Sequence, residues 1–228
     1  MWSVTESESA RTEWPVSPPP PWPAEVRATI WWHRARPAGR ALLRGRTIPI
    51  SVVMVIDYLN SPVGPYREVL ASPVLQRPGR GLGAMPRMSV PFIAADSETS
   101  VHGGRTHWHL PKVLADFGGD VLADASVSGA GVSGDESSRG GWSVRTQAKG
   151  IGPSFPIKGA LGFAQPSDEG SVLATARLTG KARPARVQVA ASGPSLGEWI
   201  APGTHFGLQI VSGRMVTGPS SLLSVGHV

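Results

Sequence analysis

Apolar residues in this chain come in short blocks separated by clusters of Gly, Pro and Ser. EVRATIWWH, rich in β-branched and aromatic residues, predicts a first strand. TIPISVVMVIDY is a nearly continuous apolar run of strand length, which predicts a strand covered on both faces. SPVG predicts a turn, and PYREVLASPVL the strand after it, with Tyr66, Glu68 and Leu70 on one face and Arg67 and Val69 on the other. RPGRGLGAMP predicts a loop and MSVPFIAADS a further strand. VLADASVSG and GWSVRTQAKG predict a hairpin with AGVSGDESSRG at its tip, and SVLATARLTG, ARVQVAAS and HFGLQIVSGRMV continue the β pattern at short spacing. A helix is predicted to start at PKVLADF, with Pro111 in the first helical position and Val113, Leu114 and Phe117 forming its apolar face. SLGEWI predicts a second short helix.

These elements predict a mainly β, α+β protein with an antiparallel sheet or barrel and a few short helices, and the 28 glycines and 22 prolines agree with so many turns. Residues 1–21, acidic and serine-rich and ending in PVSPPPP, predict a mobile N-terminal arm; residues 22–228 predict a single domain. Cysteine is absent, which removes disulfides, thiolate catalysis and Cys-based zinc sites from consideration. No apolar run approaches the roughly 18 residues of a membrane helix, and the first residues lack the pattern of a signal peptide, so the expected location is cytoplasmic. The net charge of +6 comes from scattered arginines with one denser stretch, HRARPAGRALLRGR. Without a nucleic-acid-binding motif beside it, that stretch reads as a solvated basic loop, and an anionic small molecule would profit from the same potential.

GGRTHWHLPKVLADF holds the candidate chemistry. The chain has only four lysines, Lys112, Lys149, Lys158 and Lys181, among 22 basic residues. Lys112 stands between Leu110-Pro111 and Val113-Leu114. In the first turn of the predicted helix, the helix dipole and the apolar neighbours would both favour a neutral amine. A neutral amine adds to a ketone or aldehyde and gives an imine, which stabilises a carbanion on the adjacent carbon. The bland alternative is a lysine whose stem packs on Leu110 and Leu114 while its head reaches solvent.

The segment resembles the acetoacetate decarboxylase family, in which a Gly-Arg pair is followed at this spacing by Pro-Lys. SPVGPYREVL resembles that family's earlier motif, a tyrosine followed two places on by an active-site glutamate. The resemblance implies an acetoacetate decarboxylase-like fold, Lys112 as the imine-forming residue and Glu68 as its acid/base or gating partner, with Tyr66 beside them. More weakly, PPW…VRATI is similar to the family's first strand and implies Arg27 near a substrate carboxylate. The implied activity is that of a lyase acting on a small keto acid or ketone, by decarboxylation or a related aldolase, dehydratase or cyclase reaction. The imine is itself the electron sink, so no metal or organic cofactor is implied, and neither nucleic acid nor membrane is an expected partner. A homo-oligomer is.

The chain departs from the family pattern at Val113, where acetoacetate decarboxylase has a second lysine, at Thr106, in place of an acidic residue, and near Val53, where a glutamate is missing. Val113 makes burial the expected source of activation and shifts the expected substrate away from acetoacetate. The same losses motivate an alternative, a non-catalytic binding or assembly protein that retains the fold. Arg105 reads either as a structural hydrogen-bonding residue or as a carboxylate clamp. His107 and His109 would share one face of a strand; a metal pair is one reading, and a pocket-lining His109 that shuttles protons is the other.

Overall fold

Trp22–Arg34 form β1, thirteen residues in which Trp22, Val26 and Ala28 turn to one side of a sheet and Trp31 to the other. The structure, a computed structural model, describes residues 15–41, 47–76, 86–129, 141–167, 170–193 and 199–223. A short helix, α1 (Pro37–Ala41), follows β1. The apolar run then becomes β2 (Thr47–Ile48) and β3 (Ile50–Asn60), and β3 lies between β1 and β4 (Tyr66–Ser72), so both of its edges are paired. Its two faces are covered as well: Met54, Ile56 and Tyr58 enter one core, Val53 and Val55 the other. Two-sided burial is why the run reads as continuous and not alternating.

The chain continues through β5 (Leu75–Gln76), β6 (Arg87–Met88), β7 (Phe92–Ala95), α2 (Glu98–Trp108), β8 (Lys112–Leu114), β9 (Asp116–Gly118), β10 (Ser126–Gly129), β11 (Trp142–Gly150), β12 (Phe155–Ser167), β13 (Gly170–Ser192), β14 (Gly203–Thr217) and β15 (Ser221–Leu223). One sheet joins these strands in the order β2-β5-β6-β12-β13-β14-β1-β3-β4-β7-β8, with β9, β10 and β11 branching from β13 and β15 beside it. Pairing is antiparallel except at β6–β12 and β7–β8. The sheet is large, mixed and not closed into a barrel, so the barrel alternative gives way to an open sheet. It curls nonetheless: Phe163 from β12 and Ile93 from β7, far apart along the strand order, belong to the same apolar core. Register shifts in β1 and in the β13–β14 pair mark bulges, which increase local bending.

Two predicted strands, SVLATARLTG and ARVQVAAS, are one strand, β13, of 23 residues. Pro184 does not break it, because it falls where the neighbour changes from β12, which ends its pairing at Ala182, to β11, which begins at Ala185. A missing N–H is harmless at such a gap. VLADASVSG contributes only Ser126–Gly129 as strand, its first residues forming a turn, and pairs with β11 as the predicted hairpin requires. The tip of that hairpin, the RPGRGLG loop and most of SLGEWI fall outside the described residues. So do residues 1–14 of the predicted arm; from Pro15 on it is described, and Ser17 is buried with its hydroxyl 3.1 Å from His107 Nε2.

The predicted helix at PKVLADF is instead β8, and the helix lies just before it. Lys112, Val113 and Leu114 pair in parallel with Ile93, Ala94 and Ala95, because the edge of β7 offers hydrogen bonds that a three-residue apolar stretch after a proline can complete. The preceding segment, ETSVHGGRTHW, is helical despite two adjacent glycines. Ser97 caps it by accepting from the Ser100 N–H, and His109 ends it in the left-handed conformation with φ 53°. Tertiary packing outweighs propensity here. A Cβ on Gly103 would come within 2.4 Å of the Trp22 ring, so the glycine lets β1 and α2 approach.

Candidate active site

Strand pairing assembles the site. The SPVG turn sets Tyr58 of β3 directly opposite Tyr66 of β4, and Ile56 opposite Glu68. Glu68 pairs in turn with Ala95 of β7, and Ile93 of β7 with Lys112 of β8. Side chains two apart on a strand share a face, so Tyr66, Glu68 and Leu70 point the same way. Lys112 meets them there. Its Nζ donates to Glu68 Oε2 at 2.7 Å and to Ser100 Oγ at 3.0 Å, and lies 5.4 Å from the centre of the Tyr66 ring. Lys112 and Glu68 are each only 3% exposed and Ser100 is fully buried. Tyr58 donates to the other carboxylate oxygen, Glu68 Oε1, at 3.3 Å, and stacks on Tyr66 with ring centres 4.2 Å apart.

Helix α2 fixes the lysine from its other side. Gly104 faces the aliphatic stem: a Cβ there would lie 2.9 Å from Lys112 Cε and 3.1 Å from Cδ. Arg105 Nε donates to the Lys112 carbonyl at 2.7 Å, tying the helix to β8. The amine thus reaches Ser100, in the first turn of α2, from a neighbouring strand, and the expected placement of Lys112 in a helix's own first turn is overturned.

The ammonium opens on a cavity of about 90 Å³ between the two arms of the curled sheet. Met54 and Leu70 line it from β3 and β4, Phe163 and Met215 from β12 and β14, and Trp22 and Trp108 from β1 and α2. Both indole N–H groups are turned to backbone carbonyls, Trp22 to Pro18 and Trp108 to Gly218, each at 2.8 Å, so the cavity meets ring surface. Gln165 braces a further wall by accepting from Val90 N–H and donating to Val90 C=O, as a strand neighbour would. Burial, then the adjacent Glu68 carboxylate, push the hydroxyls of Tyr58 and Tyr66 well above the usual phenol range, so both stay protonated donors.

Of the residues singled out from sequence, Lys112, Glu68 and Tyr66 come together at the cavity. Arg27, Arg105 and His109 do not line it. Arg27 lies on the opposite side of β1, where it donates to Asp57 at 2.6 Å with Asp120 at 3.7 Å; Asp57 first, through its hydrogen bond, raises the guanidinium further above its ordinary value. His109 is exposed at the helix cap, and His107, half-buried on α2, packs edge-on against Trp22. The two histidines therefore share no strand face, and among the described residues no group of three or more His, Asp or Glu converges as a metal site would. Val113 packs against the other core, which also holds Val53, so the position after the lysine faces away from the amine. Thr106 is exposed with its hydroxyl 3.3 Å from His102. Three contributors were missed: Tyr58, Ser100 and Gly104. Pairing outward from the SPVG turn would have found Tyr58; Ser100 and Gly104 required the true helix boundaries.

No family model matches the chain, and no curated protein matches it in sequence. Solved structures match its shape. Acetoacetate decarboxylase from Legionella pneumophila superposes with a TM-score of 0.61 at 13% identity, over 94% of this chain and 92% of the other. A second acetoacetate decarboxylase structure gives 0.58 at 10%, over 97% and 98%. The enduracididine biosynthesis enzyme MppR, in complex with pyruvate, gives 0.60 at 12%, over 91% of each chain. The fold is acetoacetate decarboxylase-like over nearly its full length. Among the described residues, no helix is long and apolar enough to cross a membrane.

Proposed function

We propose that this protein is an imine-forming enzyme that acts on a small carbonyl compound, a ketone or keto acid, through Lys112. The observation that carries the reading is a buried lysine, held 2.7 Å from a buried carboxylate at the wall of an apolar cavity. The fold it shares with acetoacetate decarboxylase and MppR makes the same chemistry the natural reading. Glu68 Oε2 takes a proton from the Lys112 ammonium, and the free amine attacks the carbonyl carbon. The carbinolamine oxygen then receives the proton from Glu68 and leaves as water. What remains is a protonated imine on Lys112 beside a Glu68 carboxylate, so charge in the cavity is unchanged. The iminium draws the electron pair of a bond at the adjacent carbon, whether that bond releases carbon dioxide, a proton or an aldol fragment. Ser100 holds the amine and Tyr58 holds the carboxylate during these transfers.

Borohydride trapping tests the reading. Incubation with a panel of ketones and keto acids, followed by borohydride, is expected to leave a reduced adduct on the peptide that contains Lys112 and none in Lys112→Ala. No adduct across the panel, or equal labelling of the variant, would leave the protein as a non-catalytic binder with the fold retained.

A further inference from the structure

The walls of the cavity say more about its ligand than the reactive lysine does. Among the residues lining it, Lys112 and Glu68 are the charged ones, and they already neutralise each other. Among the described residues, no arginine or histidine lines it: Arg27 is paired with Asp57 and Arg105 is bonded to the Lys112 backbone. The remaining polar side chains are Tyr58 and Tyr66, which sit against Glu68, and Ser61 and Thr217, both partly exposed. Everything else is aliphatic, thioether or aromatic.

A keto acid would bring a second carboxylate into this space. After the imine forms, one cation would face two anions, and among the described residues the extra charge would have no cationic partner to replace its water. Burial of an unpaired charge is strongly unfavourable, whereas an apolar chain gains from leaving water. A neutral carbonyl compound keeps the charge count of the resting site at every step. At about 90 Å³ the cavity is smaller than the roughly 150 Å³ that admits a benzene ring, which suits a ketone with a short alkyl chain.

We infer that the Lys112 site takes an uncharged, apolar ketone or aldehyde in preference to a keto acid. The inference rests on the imine reading above and narrows it. With such a substrate the bond that breaks next is carbon–hydrogen or carbon–carbon: Glu68 takes the proton from the α-carbon or from an aldol hydroxyl, and the electron pair enters the iminium to give a neutral enamine. Reprotonation and hydrolysis by one water return the amine.

The test compares molecules that differ in charge. Pentan-2-one is set against levulinate, the keto acid in which its terminal methyl is a carboxylate, and acetone against pyruvate, each pair at equal concentration with borohydride trapping on the Lys112 peptide. Calorimetric binding of the same compounds to the intact protein is measured alongside. The neutral member of each pair is expected to label and bind at least about tenfold better, with the longer ketone ahead of acetone. Equal or stronger labelling by the keto acids overturns the substrate class and leaves the imine reading standing. If nothing labels, the imine reading falls, and calorimetry still decides the class: tighter binding of the neutral ketone supports it, and no preference overturns it.

Discussion

At the residue scale, the Lys112–Glu68 pair is a structural commitment in its own right, apart from the chemistry proposed for it. Both side chains have left water, and each compensates the other's burial through a 2.7 Å bond, with Ser100 and Tyr58 satisfying further sites on the amine and the carboxylate. Removing one partner of a buried pair strands the other charge, at a cost of about 3–5 kcal/mol. Replacing both by apolar groups of similar volume removes the two desolvation penalties together. Lys112→Ala is therefore expected to lose about 3–5 kcal/mol in denaturant unfolding, while the double variant Lys112→Met/Glu68→Leu recovers most of that loss and remains inert in trapping. A double variant no more stable than Lys112→Ala would show that the pair contributes little beyond packing.

At the scale of the element, α2 works through its two glycines, and they face different neighbours. Gly103 accommodates the Trp22 ring and Gly104 the stem of Lys112. A methyl on Gly103 meets a large, fully packed ring, so Gly103→Ala is expected to cost about 1–3 kcal/mol of stability. A methyl on Gly104 meets the bendable end of a lysine. Gly104→Ala is expected to lose most of the trapped adduct and to lower the unfolding midpoint as well, because Nζ is pushed away from Glu68 and Ser100 and the buried pair is weakened. Full labelling in Gly104→Ala would mean that the lysine tolerates the shift. The contrast bears on what could be read from the letters alone. Alternation in PYREVLAS put Tyr66, Glu68 and Leu70 on one face without any knowledge of the fold, since period two is a local property of a strand. The helix was not legible, because ETSVHGGRTHW has weak helical propensity and its glycines are there for Trp22 and Lys112. Pro111 suggested a helix start and in fact marks where one has just ended. Strand β12, with Pro156, Gly159, Gly162 and Pro166, escaped for a related reason: among the described residues it pairs beyond its β13 partner only through Gly162 and Phe163, so breakers are tolerated along it.

At the scale of the whole molecule, one sheet supplies both a scaffold and a chamber. Its curl brings β12 and β14 over β3, β4 and β7, and the site lies inside that fold-over, not at an edge. Long-range strand pairing is why only the local half of the site could be anticipated: Lys112 and Glu68 are 44 residues apart, whereas the walls opposite them come from β12 and β14. The arrangement also makes the chamber easy to monitor. The chain contains two tyrosines, Tyr58 and Tyr66, and both are buried in this site. Burial and the Glu68 carboxylate raise both phenols well above their ordinary value of 10.0, so the folded state keeps two protons that the unfolded chain gives up near pH 10. An acid whose folded pKa is raised leaves stability intact below the unfolded value and drains it as pH climbs past it, because the unfolded state then binds fewer protons. Alkaline titration is thus expected to show no tyrosinate absorbance as pH passes 10, then a single rise that coincides with loss of folded-state circular dichroism. Tyrosinate that appears near pH 10 while the fold persists would show the chamber open to hydroxide, and would remove the charge-balanced, water-shielded site that the proposed neutral substrate requires.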